Sequence, residues 1–166
     1  MFRIITVCTG NICRSPMAEL MLTRALEEAE LDDVATVDSA GTTDYETGRP
    51  IDERASRKLG SQGISSSTHR ARRFEDSWFH ERDLILALND DHYEELRALA
   101  PDEESRDKVR MLRDFDPEVA GEHPQLQGIA DPWYGDEAGF NDSWNLIEAS
   151  IPGVVEYVRR ATHATR

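Results

Sequence analysis

Cysteine is nearly absent: Cys8 and Cys13 are the only two in 166 residues. Two thiols cannot build the disulfide framework of a small secreted domain, and Cys-x4-Cys alone falls short of a structural zinc site. Long apolar runs are missing too. No stretch approaches the roughly 18 residues of a transmembrane helix. The opening MFRIITVCTG lacks the basic, apolar and small-residue regions of a secretory signal, so the expected compartment is the cytoplasm, with no membrane partner. Positive charge is scarce: 19 Lys and Arg against 33 Asp and Glu leave a formal charge of −14. That excludes nucleic acid as a partner held by bulk charge, and the acidity itself serves solubility. No repeat, linker or low-complexity tract divides the chain. Its length suits one domain, set at residues 1–162, with a frayed tail over 163–166 and a monomer as the expected state.

What is present is an alternation of two patterns. Residues 2–8 (FRIITVC), 34–42 (VATVDSAGT), 82–88 (RDLILAL) and 108–112 (KVRML) are apolar and β-branched enough to be predicted as strands. Residues 16–29, 52–62 and 90–100 read as helices. A longer helical pattern covers 142–162, where Pro152-Gly153 is expected to break or kink it. This alternation predicts an α/β fold: a single-domain three-layer sandwich whose central four-stranded parallel sheet is flanked by helices on both faces. Ligands in such sheets bind beyond the carboxyl ends of strands. Residues 8–16, a phosphate-binding loop after the first strand, lie at one such end.

That loop is part of VCTGNICRSP, residues 7–16. The strand delivers Cys8 to the sheet edge, and Gly10 permits a tight backbone path. Ser15 is expected as the cap of the following helix, with Pro16 at its first position. The intervening amides of Thr9, Gly10, Asn11, Ile12, Cys13 and Arg14 lack strand or helix partners, so curled above a helix N-terminus they form an anion cradle. Arg14 adds a planar fork for two phosphate oxygens. The same donors favour the thiolate of Cys8, the reactive form of the nucleophile. Phosphoryl transfer through a cysteinyl-phosphate is the chemistry this arrangement suits, and it requires neither metal nor cofactor.

The spacing Cys-x5-Arg-Ser is that of cysteine-dependent phosphatases, and VCTGNICRSPMAE closely resembles the low-molecular-weight protein-tyrosine phosphatase family. The resemblance covers most of the chain. It implies a protein-tyrosine phosphatase acting on tyrosine-phosphorylated proteins, with inorganic phosphate or vanadate as inhibitors. It implies that DPWYGD, residues 131–136, carries the general acid as Asp131, with Asp136 as the competitor in the sequence. Trp133 and Tyr134 would then wall a flat aryl substrate, with Ile12 and Tyr45 on the facing side. The resemblance further implies that Ser39, in SAGT, and His69, in STHRAR, brace Asn11, and that Ser15 donates to the Cys8 sulfur. Arg49, Arg70, Arg72 and Arg73 either supply a local positive field or form a solvated face. The chain departs from the family's common pattern at Leu88-Asn89 and in GRPIDERA, residues 48–55.

Three alternatives stay open on the residues. Protein-arginine phosphatases resemble this loop but carry threonine where Ile12 stands, and a smaller residue in the acid loop. A non-catalytic phosphate-binding regulatory module would keep the cradle without needing both Cys8 and Asp131. Thioredoxin-coupled arsenate reductases share this fold and loop but need two further cysteines, and none follows Cys13. Cys13 is also a redox candidate, able to trap oxidised Cys8 as a disulfide.

Overall fold

A computed structural model describes residues 1–163. Four strands, β1 (Phe2–Cys8), β2 (Ala35–Gly41), β3 (Leu84–Ala87) and β4 (Val109–Met111), pair in the order β2-β1-β3-β4. Every pairing is parallel, and the register sets Cys8 beside Gly41. All four strands fall inside the predicted segments.

The alternation of side chains along the strands divides the core between two faces. Ile4, Leu84 and Leu86 point to one side, against α1 (Arg14–Glu28) and a long final helix. Ile5, Val7, Ile85 and Ala87 point to the other, where Phe79 and Leu96 cover them. The helices of that second face are α3 (Trp78–Glu81), α4 (Asp90–Leu99) and α5 (Glu103–Lys108); α3 and α5 are too short to show a periodic pattern. The remaining helix before the acid loop is α2 (Glu53–Ser61), capped by Asp52, whose carboxylate accepts from the Arg54 amide. No helix among the described residues is long and apolar enough to cross a membrane.

Two local expectations are corrected. Helix α1 begins at Arg14, with Cys13 in the cap position and no side-chain cap. Ser15 therefore lies inside the first turn, turned inward and buried, and Pro16 follows it at the third position. Pro16 loses nothing there, because the first amides of a helix have no intrahelical acceptor. The second correction is that Pro152 does not break α6, which runs from Glu137 to His163. A proline in a helix interior costs about 3 kcal/mol. Trp144 and Ile147 before it, and Val154 and Val158 after it, are all buried. Each such side chain contributes about 1.5–3 kcal/mol of burial, which outweighs the proline. Gly153 belongs to the same packing: a Cβ there would stand 2.4 Å from the Phe115 carbonyl oxygen. His163 is still helical, and the rest of the expected tail lies outside the described residues.

Candidate active site

Strand β1 ends at Cys8, and the chain turns at once into the cradle. The turn needs Asn11 at φ 59°, in the left-handed region that Asn tolerates better than most residues. Buried Asn11 has its side chain fully partnered. Nδ2 donates to Ser15 Oγ at 2.8 Å and to Ser39 Oγ at 2.9 Å, and Oδ1 accepts from the Arg72 amide at 3.0 Å. Its own carbonyl accepts from His69 Nε2 at 2.7 Å, since a carbonyl can only accept. Ser39 and His69 thus both bond to Asn11, and Arg72 adds a partner through its backbone.

Ser15 Oγ lies 3.0 Å from Cys8 Sγ and 3.3 Å from the Ala40 carbonyl. Its oxygen accepts from Asn11, and its one proton has two acceptors within reach, the Ala40 carbonyl and a Cys8 thiolate. The buried position that cost Ser15 its capping role is what brings it to Cys8.

Behind this brace stands Glu19. It accepts from Ser39 Oγ at 3.0 Å and lies 3.8 Å from His69 Nδ1. Burial raises the Glu19 carboxyl to about 7, against the opposing pull of the Ser39 bond. Burial likewise lowers His69, although its bond to the Asn11 carbonyl works the other way.

Arg14 is 4% exposed. Nη1 donates to the Ile129 carbonyl at 3.0 Å, Nη2 lies 3.6 Å from Asp131 Oδ2, and Nε has no partner among the described residues. Asp131 Oδ1 accepts from the Trp133 amide at 3.0 Å, which closes the 3-10 turn Pro132–Tyr134. Asp136 instead accepts from the Ala138 amide at the start of α6.

A cavity of about 170 Å³ opens between these elements. Cys8, Thr9, Gly10, Ile12, Cys13 and Arg14 form its floor; Asp131, Trp133 and Tyr134 form one wall, and Thr43, Tyr45 and Glu46 the other. Trp133 is 44% exposed, Tyr134 88% and Tyr45 81%, so these rings are a rim and not core packing. Burial, above all other causes, pushes the Cys13 thiol far above its ordinary range.

Arg14 is the only basic side chain lining the cavity among the described residues. Arg49 pairs with Glu46 at 2.9 Å, and Arg72 pairs with Asp38 and stacks on Trp78. None of Arg49, Arg70, Arg72 and Arg73 lines the cavity, so the cationic side chain of this pocket among the described residues is Arg14. Sequence reasoning missed Arg54, which ties α2 to the acid loop, as well as Glu19 and His92. No local spacing marks them, because each acquires its neighbours through long-range packing.

Comparison with known proteins places this geometry. Residues 3–164 match the family model described as low molecular weight phosphotyrosine protein phosphatase. A low molecular weight protein-tyrosine-phosphatase of Streptomyces coelicolor is 42% identical over 95% of this chain and 94% of its own. Low molecular weight protein-tyrosine phosphatase A of Mycobacterium tuberculosis is 40% identical over 92% of this chain and 88% of its own. The crystal structure of a protein tyrosine phosphatase from Entamoeba histolytica superposes with a TM-score of 0.86 at 30% identity, covering 98% of this chain and 99% of that one.

Proposed function

The chain belongs to the low molecular weight phosphotyrosine protein phosphatase family, and from that premise we propose that Cys8, Arg14 and Asp131 carry its reaction. The activity is hydrolysis of phosphotyrosine in proteins through a cysteinyl-phosphate. The observation behind the residue assignment is that one cavity has the Cys8 sulfur in its floor, Arg14 beside it and Asp131 on its wall.

Cys8 Sγ attacks phosphorus as the bond to the tyrosine oxygen breaks. Asp131 gives its proton to that oxygen, so tyrosine leaves neutral. Arg14 and the amides of residues 9–14 hold the equatorial oxygens, where charge is spread in the transition state. Water then attacks the cysteinyl-phosphate, Asp131 takes its proton, and the S–P electron pair returns to Cys8. Ser15 donates to the sulfur and stabilises it as the leaving group. No step of this scheme calls for a metal.

Trp133, Tyr134, Tyr45 and Ile12 offer apolar faces to the phenyl ring, which supports phosphotyrosine over the smaller serine ester and over the polar guanidinium of phosphoarginine. Inorganic phosphate and vanadate are expected to compete for the same cradle. Every group of the site comes from one chain, so a monomer suffices. The two free thiols are in keeping with the cytoplasm. Cys13 is assigned as the partner that traps oxidised Cys8, and its protonated state makes it a slow attacker.

The test is kcat/KM on phosphotyrosine, phosphoserine and phosphoarginine peptides with EDTA present. Preference for phosphotyrosine is expected. Comparable turnover of phosphoarginine would replace this substrate reading, and loss of activity to EDTA would end the metal-free scheme.

A further inference from the structure

His92, in the first turn of α4, is 1% exposed, and its role is unassigned by the scheme above. Its Nε2 lies 2.8 Å from Thr9 Oγ1, the side chain directly after the nucleophile. Its Nδ1 is buried and has no hydrogen-bond partner among the described residues.

The proton of the neutral ring sits on Nε2 for two reasons. A proton on Nδ1 would leave a buried N–H without an acceptor, which is costlier than a bare lone pair. Asp91 Oδ1 also lies 3.6 Å from Nε2, and a carboxylate favours a proton on the nearer nitrogen. The doubly protonated ring is disfavoured as well. Burial first, and then the charge of Arg14, lower His92 to about 4, against Asp91, Asp131 and Asp90, which pull upward. Nε2–H therefore donates to Thr9 Oγ1.

Thr9 has one hydroxyl proton. With its oxygen already accepting from His92, that proton must go to another acceptor. Thr9 lines the cavity beside Cys8 and Arg14. We propose that His92 is a positioning residue that fixes the Thr9 hydroxyl as a donor to an oxygen of the bound phosphoryl group. With the tautomer reversed, the Thr9 proton would be spent on His92, and the hydroxyl could only present lone pairs to an anion. A donor held in place before the reaction costs no reorientation when charge develops.

The inference rests on the phosphate-cradle reading above, and the test separates the two. Inhibition by inorganic phosphate and kcat/KM are measured on the full chain and on Thr9→Val, His92→Leu, His92→Gln and the Thr9→Val/His92→Leu double variant. The ring nitrogens of His92 are observed by ¹⁵N NMR in the unsubstituted protein. A lost hydrogen bond to an anion predicts about tenfold weaker phosphate binding for Thr9→Val, with His92→Leu close to it. The double variant is then no weaker than Thr9→Val, and His92→Gln, which keeps an N–H donor, recovers most of the loss. The spectrum shows a protonated Nε2 and a bare Nδ1.

A proton on Nδ1 would overturn the proposal, as would losses that multiply in the double variant or a His92→Gln variant as weak as His92→Leu. If His92→Leu does not fold, the tautomer, Thr9→Val and His92→Gln still decide. Failure of the unsubstituted protein to bind phosphate would overturn the cradle reading itself, and this inference with it.

Discussion

Arg54 holds Trp133 in two ways. Its guanidinium lies 5.6 Å from the centre of the indole, and its Nη2 donates to the Trp133 carbonyl at 3.3 Å. Its Nη1 also donates to the Gly135 carbonyl at 2.9 Å, so two carbonyls of the 131–136 loop are held from α2. The same guanidinium is forked onto Asp52, whose amide donates to the Ile12 carbonyl of the cradle at 2.9 Å. One side chain thus sets the acid loop relative to the phosphate loop. Arg54→Ala is expected to lower kcat on the order of tenfold, as misplaced catalytic groups do, while phosphate inhibition changes little. Steady-state kinetics check this; a loss confined to phosphate affinity would remove Arg54 from acid positioning.

Cys8→Ser is expected to abolish turnover while phosphate and vanadate still bind. The hydroxyl is a far weaker nucleophile, whereas Arg14 and the loop amides remain in place. Turnover is followed with an aryl phosphate, and binding by calorimetry. Substantial residual turnover would end the cysteinyl-phosphate assignment to this residue.

Asp131→Ala should slow cleavage by about 10²–10⁴-fold for a poor leaving group such as tyrosine. The loss should shrink for acidic phenols, which leave without a proton. Rates across a series of aryl phosphates measure the slope. A uniform loss would move the acid elsewhere, and Asp136 would be tested next.

Gly41→Ala should damage the cradle from outside it. A Cβ at Gly41 would stand 2.6 Å from the Thr9 carbonyl oxygen and 3.3 Å from the Asn11 amide, both backbone atoms that cannot swing away. Overpacking of this kind costs about 1–3 kcal/mol. Thermal unfolding and phosphate inhibition should both weaken. A variant with full stability and unchanged affinity would show that the loop yields without cost.

Glu19→Gln should change how stability depends on pH. The Glu19 carboxyl is raised from 4.5 to about 7, so between those values the folded chain keeps a proton that the unfolded chain has released. The contribution of Glu19 is thus fully present below pH 4.5 and is lost as pH rises through 7. Gln cannot ionise and escapes that loss. Urea unfolding at pH 4.5 and pH 8 should show the variant gaining on the unsubstituted protein by on the order of 2–3 kcal/mol across the interval. A constant difference would mean that the Glu19 carboxyl titrates in the folded protein as it does in the unfolded chain.

Much of the site was legible because it is local. Cys8, the free amides and Arg14 all fall within one strand–turn–helix step, where spacing and backbone chemistry decide what can form. The four strands were legible for a related reason: β1 and β3 are buried on both faces, so their apolar runs are nearly continuous. The acid loop was legible through resemblance, since nothing in DPWYGD alone distinguishes an acid from a turn.

The sequence by itself thus determined the α/β alternation and the strand–turn–helix step that carries Cys8 and Arg14, since these follow from chemistry carried by adjacent residues. Only the tertiary structure decided what surrounds them. It turned Ser15 inward to Cys8 and carried α6 unbroken past Pro152. It brought Ser39, His69 and the Arg72 amide onto Asn11, and it set His92 against Thr9 and Arg54 against Trp133. In each case the deciding contact joins segments distant in the chain. Side-chain periodicity reports which face of an element is buried, but not which residue of another element will meet it.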